Sequence, residues 1–170
     1  MSEHALVQLA RKTIETFVKE GKIIDPPAEL APEMKGRAGV FVSLHLKGRL
    51  RGCIGTFAPT TENVATEIIH NAIEASTRDP RFSPVKENEL ADLEISVDVL
   101  TQPVPVESAK DLDAKKYGVI VKCGKRRGLL LPDLEGVNSP DEQISICRQK
   151  GWIGDAEPIE LFKFEVKRYH

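Results

Sequence analysis

Apolar positions recur at helical spacing over residues 5–20, where Leu6, Leu9, Ala10, Ile14, Phe17 and Val18 share one face. Ser2 is a candidate cap for its start and Gly21 for its end. A second helical stripe, Val64, Ala65, Ile68, Ile69, Ala72, Ile73 and Ala75, follows the break at Pro59-Thr60-Thr61. Between them the period changes to two. Val40–Leu46 and Leu50–Ile54 read as strands joined at Lys47-Gly48. Glu94–Leu100 alternates strictly, with Ile95, Val97 and Val99 on one face and Glu94, Ser96 and Asp98 on the other, which predicts a half-exposed antiparallel strand. Val119–Cys123 and Gly128–Leu131 predict a second hairpin around Gly124-Lys125. Ser139-Pro140-Asp141-Glu142 predicts a capped helix running to about Lys150, and Phe162, Phe164 and Val166 a closing strand. Strands interrupted by helices without repeating βαβ units make this an α+β pattern, a mostly antiparallel sheet flanked by helices. The prolines at 103 and 105 separate a larger first lobe, about 1–105, from a smaller one, about 106–158, with the last strand at 160–168, all within one domain over 1–170.

The pattern leaves two registers for the first hairpin. A two-residue turn at Lys47-Gly48 pairs Leu44 with Arg51 and Val42 with Cys53. A slip of one residue pairs Leu46 with Leu50 and Val42 with Ile54, gathering Val42, Leu44, Leu46, Leu50 and Ile54 on one face. The consistent apolar face favours the slipped register, which leaves Ser43, His45, Arg51 and Cys53 on the other side.

Composition is that of an ordinary globular chain: 170 residues, 41% hydrophobic, 29% charged, with a net charge of -2. That balance argues against a dedicated nucleic-acid binder. Lys122, Lys125, Arg126 and Arg127 form a local basic cluster, read as a solvated turn. No apolar run is long enough to span a bilayer, and the first residues lack the features of a signal peptide, so a cytoplasmic location is expected. Three widely spaced cysteines, Cys53, Cys123 and Cys147, suggest neither a disulfide framework nor a metal site, and Cys123 and Cys147 fall on apolar faces. His45 with Cys53 supplies too few ligands for a metal. The sequence calls for no cofactor.

Leu50-Arg51-Gly52-Cys53-Ile54-Gly55 is unusual for a strand, because two glycines and an arginine stand where β-branched residues are preferred. Glycine there marks close approach by a ligand or by another backbone. Arg51 and Cys53 are two residues apart, about 6.7 Å along one face, close enough for the guanidinium to favour the thiolate. Cys53 is therefore a candidate nucleophile, set against the plainer reading of a small apolar filler.

These residues carry a family resemblance. Gly39–Leu44, Leu50–Phe57, Ala75–Phe82, Glu94–Leu100, Gly118–Val121 and Arg127–Pro132 resemble the AMMECR-type domain, named for the AMME syndrome chromosomal region. The chain departs from microbial relatives after Pro132, where they carry a longer helix around the second cysteine. The resemblance implies an α+β domain of two unequal lobes with the hexapeptide near a cleft. It also implies membership of the AmmeMemoRadiSam group, whose protein A is found beside a Memo-like protein and a radical SAM protein.

Two functions follow as expectations. One is a small-ligand or catalytic cleft, with Cys53 as nucleophile or contact, Arg51 as anion clamp, Gly52 and Gly55 admitting the ligand, and His45, Asp79 and Arg81 as further contacts. The other is a non-catalytic adaptor docking a Memo-like or radical SAM partner. A nucleic-acid-associated regulatory role ranks third, and the sequence does not specify the oligomeric state.

Overall fold

The computed structural model describes residues 2–170. Among them are three α-helices, α1 (Ala5–Glu20), α2 (Val64–Thr77) and α3 (Pro140–Lys150). Eight strands complete the architecture: β1 (Val40–Leu46), β2 (Arg49–Gly55), β3 (Leu93–Leu100), β4 (Val104–Val106), β5 (Gly118–Cys123), β6 (Arg126–Leu130), β7 (Glu160–Phe164) and β8 (Val166–Tyr169). They form two four-stranded sheets, ordered β2-β1-β3-β8 and β4-β7-β5-β6, in an α+β fold.

The chain divides into two compact units, one running to Val99 and taking back Lys167–His170, the other spanning Leu100–Val166. In the first, α1 and α2 bury their apolar stripes with Val40, Val42 and Leu44 of β1 and Leu93, Ile95 and Val97 of β3. In the second, Val119 and Val121 of β5 pack with Leu130, Cys147 and Ile153. The closing strand anticipated from Phe162, Phe164 and Val166 is two strands. Glu165 separates them, and they belong to different sheets.

Element ends follow the capping rules with one substitution. Gly21 closes α1 in the left-handed conformation at φ 69°, but His4 caps its start in place of Ser2, its Nδ1 accepting the Leu6 N–H at 3.2 Å. Asn63 caps α2 and Ser139 caps α3 through their side-chain oxygens. The β5–β6 hairpin turns at Gly124-Lys125, with Cys123 opposite Arg126.

Both registers weighed for the first hairpin are present, one on each side of a bulge. Lys47 and Gly48 have φ 52° and 77°, the two-residue turn that matches strand twist, and it sets Leu46 opposite Arg49 and His45 opposite Leu50. The buried face demands instead Leu44 opposite Gly52, Ser43 opposite Cys53 and Val42 opposite Ile54. The two requirements differ by one residue, and Arg51 is the extra residue that reconciles them. Leu50 consequently leaves the apolar face and is 40% exposed, which corrects its expected place in the core.

Candidate functional site

β2 is an edge strand of the first sheet, and its neighbours explain its odd composition. A Cβ on Gly52 would lie 2.2 Å from the Ala75 carbonyl oxygen, because α2 crosses directly over this position. A Cβ on Gly55 would lie 2.2 Å from the Phe41 ring. The glycines therefore admit a helix backbone and an aromatic ring, and the expected role of Gly52 and Gly55 in ligand approach is corrected accordingly.

Arg51 does not face the thiol. Its Nε and Nη2 fork onto both Glu89 carboxylate oxygens at 2.8 and 3.0 Å, while Nη1 donates to Ser83 O and Nη2 to Pro84 O. Glu89 in turn accepts the Lys86 N–H and opens the 3-10 turn over Glu87–Asp92. The Arg51 side chain is only 14% exposed and its fork lies on Glu89, so the predicted anion clamp is occupied by a carboxylate of the chain itself. It borders an open groove of about 440 Å³, lined by Phe82, Ser83, Lys86, Asn88 and Glu89 besides Arg51, and Cys53 is not among the lining residues.

The residues beside Cys53 are Ser43, Asp79 and Arg81. The Asp79 carboxylate, 2% exposed, accepts the Cys53 backbone N–H at 3.0 Å. It also receives Nε and Nη2 of Arg81 at 3.0 and 2.8 Å and the Arg81 backbone N–H at 3.0 Å. Arg81 Nη2 reaches the Cys53 carbonyl at 3.2 Å. The loop after α2 thus satisfies both backbone groups of Cys53 at the sheet edge, where another strand would otherwise pair. The Arg81 fork, followed by the backbone donors, holds the Asp79 carboxyl well below the usual carboxylate range.

Cys53 Sγ lies 3.2 Å from Ser43 Oγ, its cross-strand partner. Burial pushes its thiol pKa up. The Ser43 hydrogen bond and the Arg81 charge offset this only in part, and the Asp98 and Asp79 carboxylates add to the rise. The thiol is therefore neutral near pH 7, and the activation expected from Arg51 is absent. His45 lies two residues further along β1, past the bulge, opposite Leu50 and Glu94. The hydroxyl against the sulfur is that of Ser43.

Of the seven residues anticipated at the site, Cys53, Asp79 and Arg81 come together. Arg51 is engaged next door, Gly52 and Gly55 serve packing, and His45 is set apart by register. Cys147 is fully buried, donates to the Val119 carbonyl at 3.6 Å, and has its pKa pushed up to about 12 by burial, consistent with a packing role. Cys123 is half-buried against the second core. Among the described residues, no three His, Cys, Asp or Glu side chains are grouped to hold a metal ion. No helix there is long and apolar enough to cross a membrane.

Sequence reasoning missed Glu67, a fully buried carboxylate inside the first unit. It accepts the hydroxyls of Thr56, Thr60 and Thr61 and the backbone N–H groups of Thr60 and Thr61, all at 2.8–3.0 Å. Burial works to raise its pKa, but these donors together hold it below the ordinary value. Asn71, one turn on, donates to Val40 O and Thr56 Oγ1, so α2 fixes the segment that leaves β2. The signal available in advance was the threonine pair at 60–61 seven and six residues before a glutamate on an otherwise apolar helix face.

The AMMECR1 family pattern matches residues 7–169 of this chain. A protein of Thermotoga maritima is 49% identical over 172 residues, covering 99% of each chain. Protein CA_C1420 of Clostridium acetobutylicum is also 49% identical, over 96% of this chain but only 35% of its own length. The crystal structure of an uncharacterized protein, PH0010 from Pyrococcus horikoshii, superimposes with a TM-score of 0.86 at 33% identity, covering 96% of this chain and 88% of that one.

Proposed function

The chain belongs to the AMMECR1 family, and we propose that it binds a small anionic ligand beside Cys53, with Arg81 as the charge that recognises it. The observation that carries this reading is the asymmetry of the Arg81 fork. Nε and Nη2 are fixed by a buried carboxylate, while the side chain as a whole is 55% exposed and its Nη1 amino group lies outside the fork. A guanidinium anchored on one edge and open on the other is preorganised for a carboxylate or phosphate oxygen. Ser43 Oγ and the neutral Cys53 thiol supply a hydroxyl and a soft donor beside it. In this arrangement Cys53 is a contact in the resting state. Any nucleophilic role requires the bound ligand or an added base to take its proton.

Protection from alkylation tests this. The rate of iodoacetamide reaction at Cys53 is expected to fall saturably with citrate or inorganic phosphate and not with glycerol. Arg81→Gln is expected to abolish the protection and Arg81→Lys to retain part of it. Equal effects of charged and neutral probes would overturn the reading.

The adaptor reading has its own support, because in the Clostridium protein the matched region is about a third of a longer chain. A domain that travels with other domains is suited to docking, and a Memo-like or radical SAM protein is then the candidate partner. That reading predicts that Cys53→Ser leaves partner binding intact and that citrate and phosphate protect nothing.

A further inference from the structure

The segment that ends α3 breaks a local rule at an exposed position. It closes as a Schellman motif, with the Ile153 N–H bonded to Arg148 O at 2.8 Å and the Trp152 N–H to Gln149 O at 3.2 Å. In this motif the residue after the cap is left-handed, a conformation glycine adopts without steric cost. Here that residue is Trp152, at φ 58°, and the glycine stands one place earlier. Packing explains the displacement: a Cβ on Gly151 would lie 2.8 Å from the Arg127 carbonyl carbon and 3.0 Å from Gly128 N. The close passage of β6 reserves the glycine for 151 and leaves 152 to a residue with a side chain. Ile153 then turns back into the second core.

Nothing in this packing calls for an indole. Trp152 is the chain's single tryptophan and is 87% exposed. Its mounting is nevertheless firm. Arg126 Nη1 donates to Trp152 O at 2.8 Å and to Glu157 Oε2 at 3.0 Å, and its Nη2 bonds the other Glu157 oxygen. Glu157 accepts the Gly154 N–H at 2.6 Å, and Arg148 donates to Glu157 O at 3.1 Å. The surroundings are basic. Residues 122–127 and 148–160 carry six cations against the three carboxylates Asp155, Glu157 and Glu160, with Glu160 opposite Lys122, in a chain whose net charge is -2.

We infer that Trp152 is the anchor of a protein-docking surface, and that its partner presents an acidic segment bearing an apolar side chain. An exposed indole on a firmly held backbone offers large contact area with only two side-chain torsions to fix, and tryptophan is enriched among the residues that dominate binding. The surrounding lysines and arginines would steer an acidic segment and set its orientation.

The test uses the intact chain and four labelled probes read by anisotropy. They are a peptide alternating Glu with Leu, the same peptide with Gln for Glu, the same with Ser for Leu, and a single-stranded oligonucleotide of equal charge. The Glu-Leu peptide is expected to bind, to shift the Trp152 emission to the blue, and to weaken several-fold between about 50 and about 300 mM salt. Trp152→Gly is expected to weaken it at least tenfold while melting no lower than wild type, because glycine suits the left-handed position. Lys125→Glu is expected to weaken it by a smaller factor. The inference is overturned if the peptide fails to bind, if Trp152→Gly binds it equally or melts lower, or if the Ser-containing peptide binds as well. Tighter binding of the oligonucleotide would also overturn it, in favour of a nucleic-acid surface.

Discussion

Arg51 and Arg81 both fork onto a carboxylate beside the same edge strand, yet they do opposite things. The Arg51 fork is closed: Glu89 takes one edge, the Ser83 and Pro84 carbonyls take the rest, and 14% of the side chain is exposed. The Arg81 fork is open: Asp79 takes one edge, the Cys53 carbonyl shares Nη2, and more than half the side chain remains exposed. The closed fork fastens the segment after α2 to the bulge in β2. The open one fastens the same segment to Cys53 and leaves Nη1 outside the fork. A bidentate arginine marks a ligand site only when one of its edges is left over, and that depends on the partner more than on the arginine.

Gly52, between the two forks, gives the largest expected effect. With the Ala75 carbonyl oxygen 2.2 Å from the place of a Cβ, Gly52→Ala must displace α2 or β2. A loss of about 3 kcal/mol in chemical denaturation is expected. If the glycine existed to admit a ligand, the same variant would fold with near wild-type stability and lose binding alone, and the assignment to packing would be wrong.

Asp79 comes next. Asp79→Ala leaves the Cys53 N–H unpaired and strips Arg81 of its partner, and about 2 kcal/mol of stability should be lost. The pH dependence has a definite sign. The folded pKa is depressed, so the contribution is fully present above the unfolded value near 3.9. It falls away as the pH drops below about 4 toward the folded value. Acid unfolding of Asp79→Asn should therefore be less steep than that of wild type. Parallel curves would mean that other carboxylates, such as Glu67 and Glu89, govern the acid limb.

Much of the fold was legible because period agrees with packing at α1, β1 and α3. In β3 the alternation holds from Leu93 to Val97 and fails at Asp98, expected on the exposed face but forked by Arg168 and 1% exposed. The site was legible in part. The residue types at 51–55 and 79–81 were visibly out of place in plain core. What they contact was not, because Glu89 lies 38 residues from Arg51, and the bulge that displaces Arg51 arises from a conflict between turn and core that neither side reveals alone. Glycine at 52 had two readings, ligand or backbone, and only the path of α2 decides between them. Glu67 was overlooked because its five donors come from a segment without any period of its own.

The smallest effect separates the two forks most sharply, and it is read at the sulfur. The Cys53 thiol is expected to alkylate with a midpoint above the ~8.5 of free cysteine, since burial raises its pKa more than Ser43 and Arg81 lower it. Ser43→Ala removes the hydrogen bond to sulfur and should move the midpoint further up. Arg81→Gln should move it in the same direction, because the offsetting charge is gone while Asp79 and Asp98 remain. Arg51→Ala should leave the midpoint where it is, although it breaks the Glu89 fork and lowers stability by about 1 kcal/mol. A midpoint that rises in Arg51→Ala and stays fixed in Arg81→Gln would exchange the roles of the two arginines and return the anion site to Arg51. A wild-type midpoint below the free value would restore Cys53 as a preformed nucleophile, with Ser43 as the hydroxyl that stabilises its thiolate.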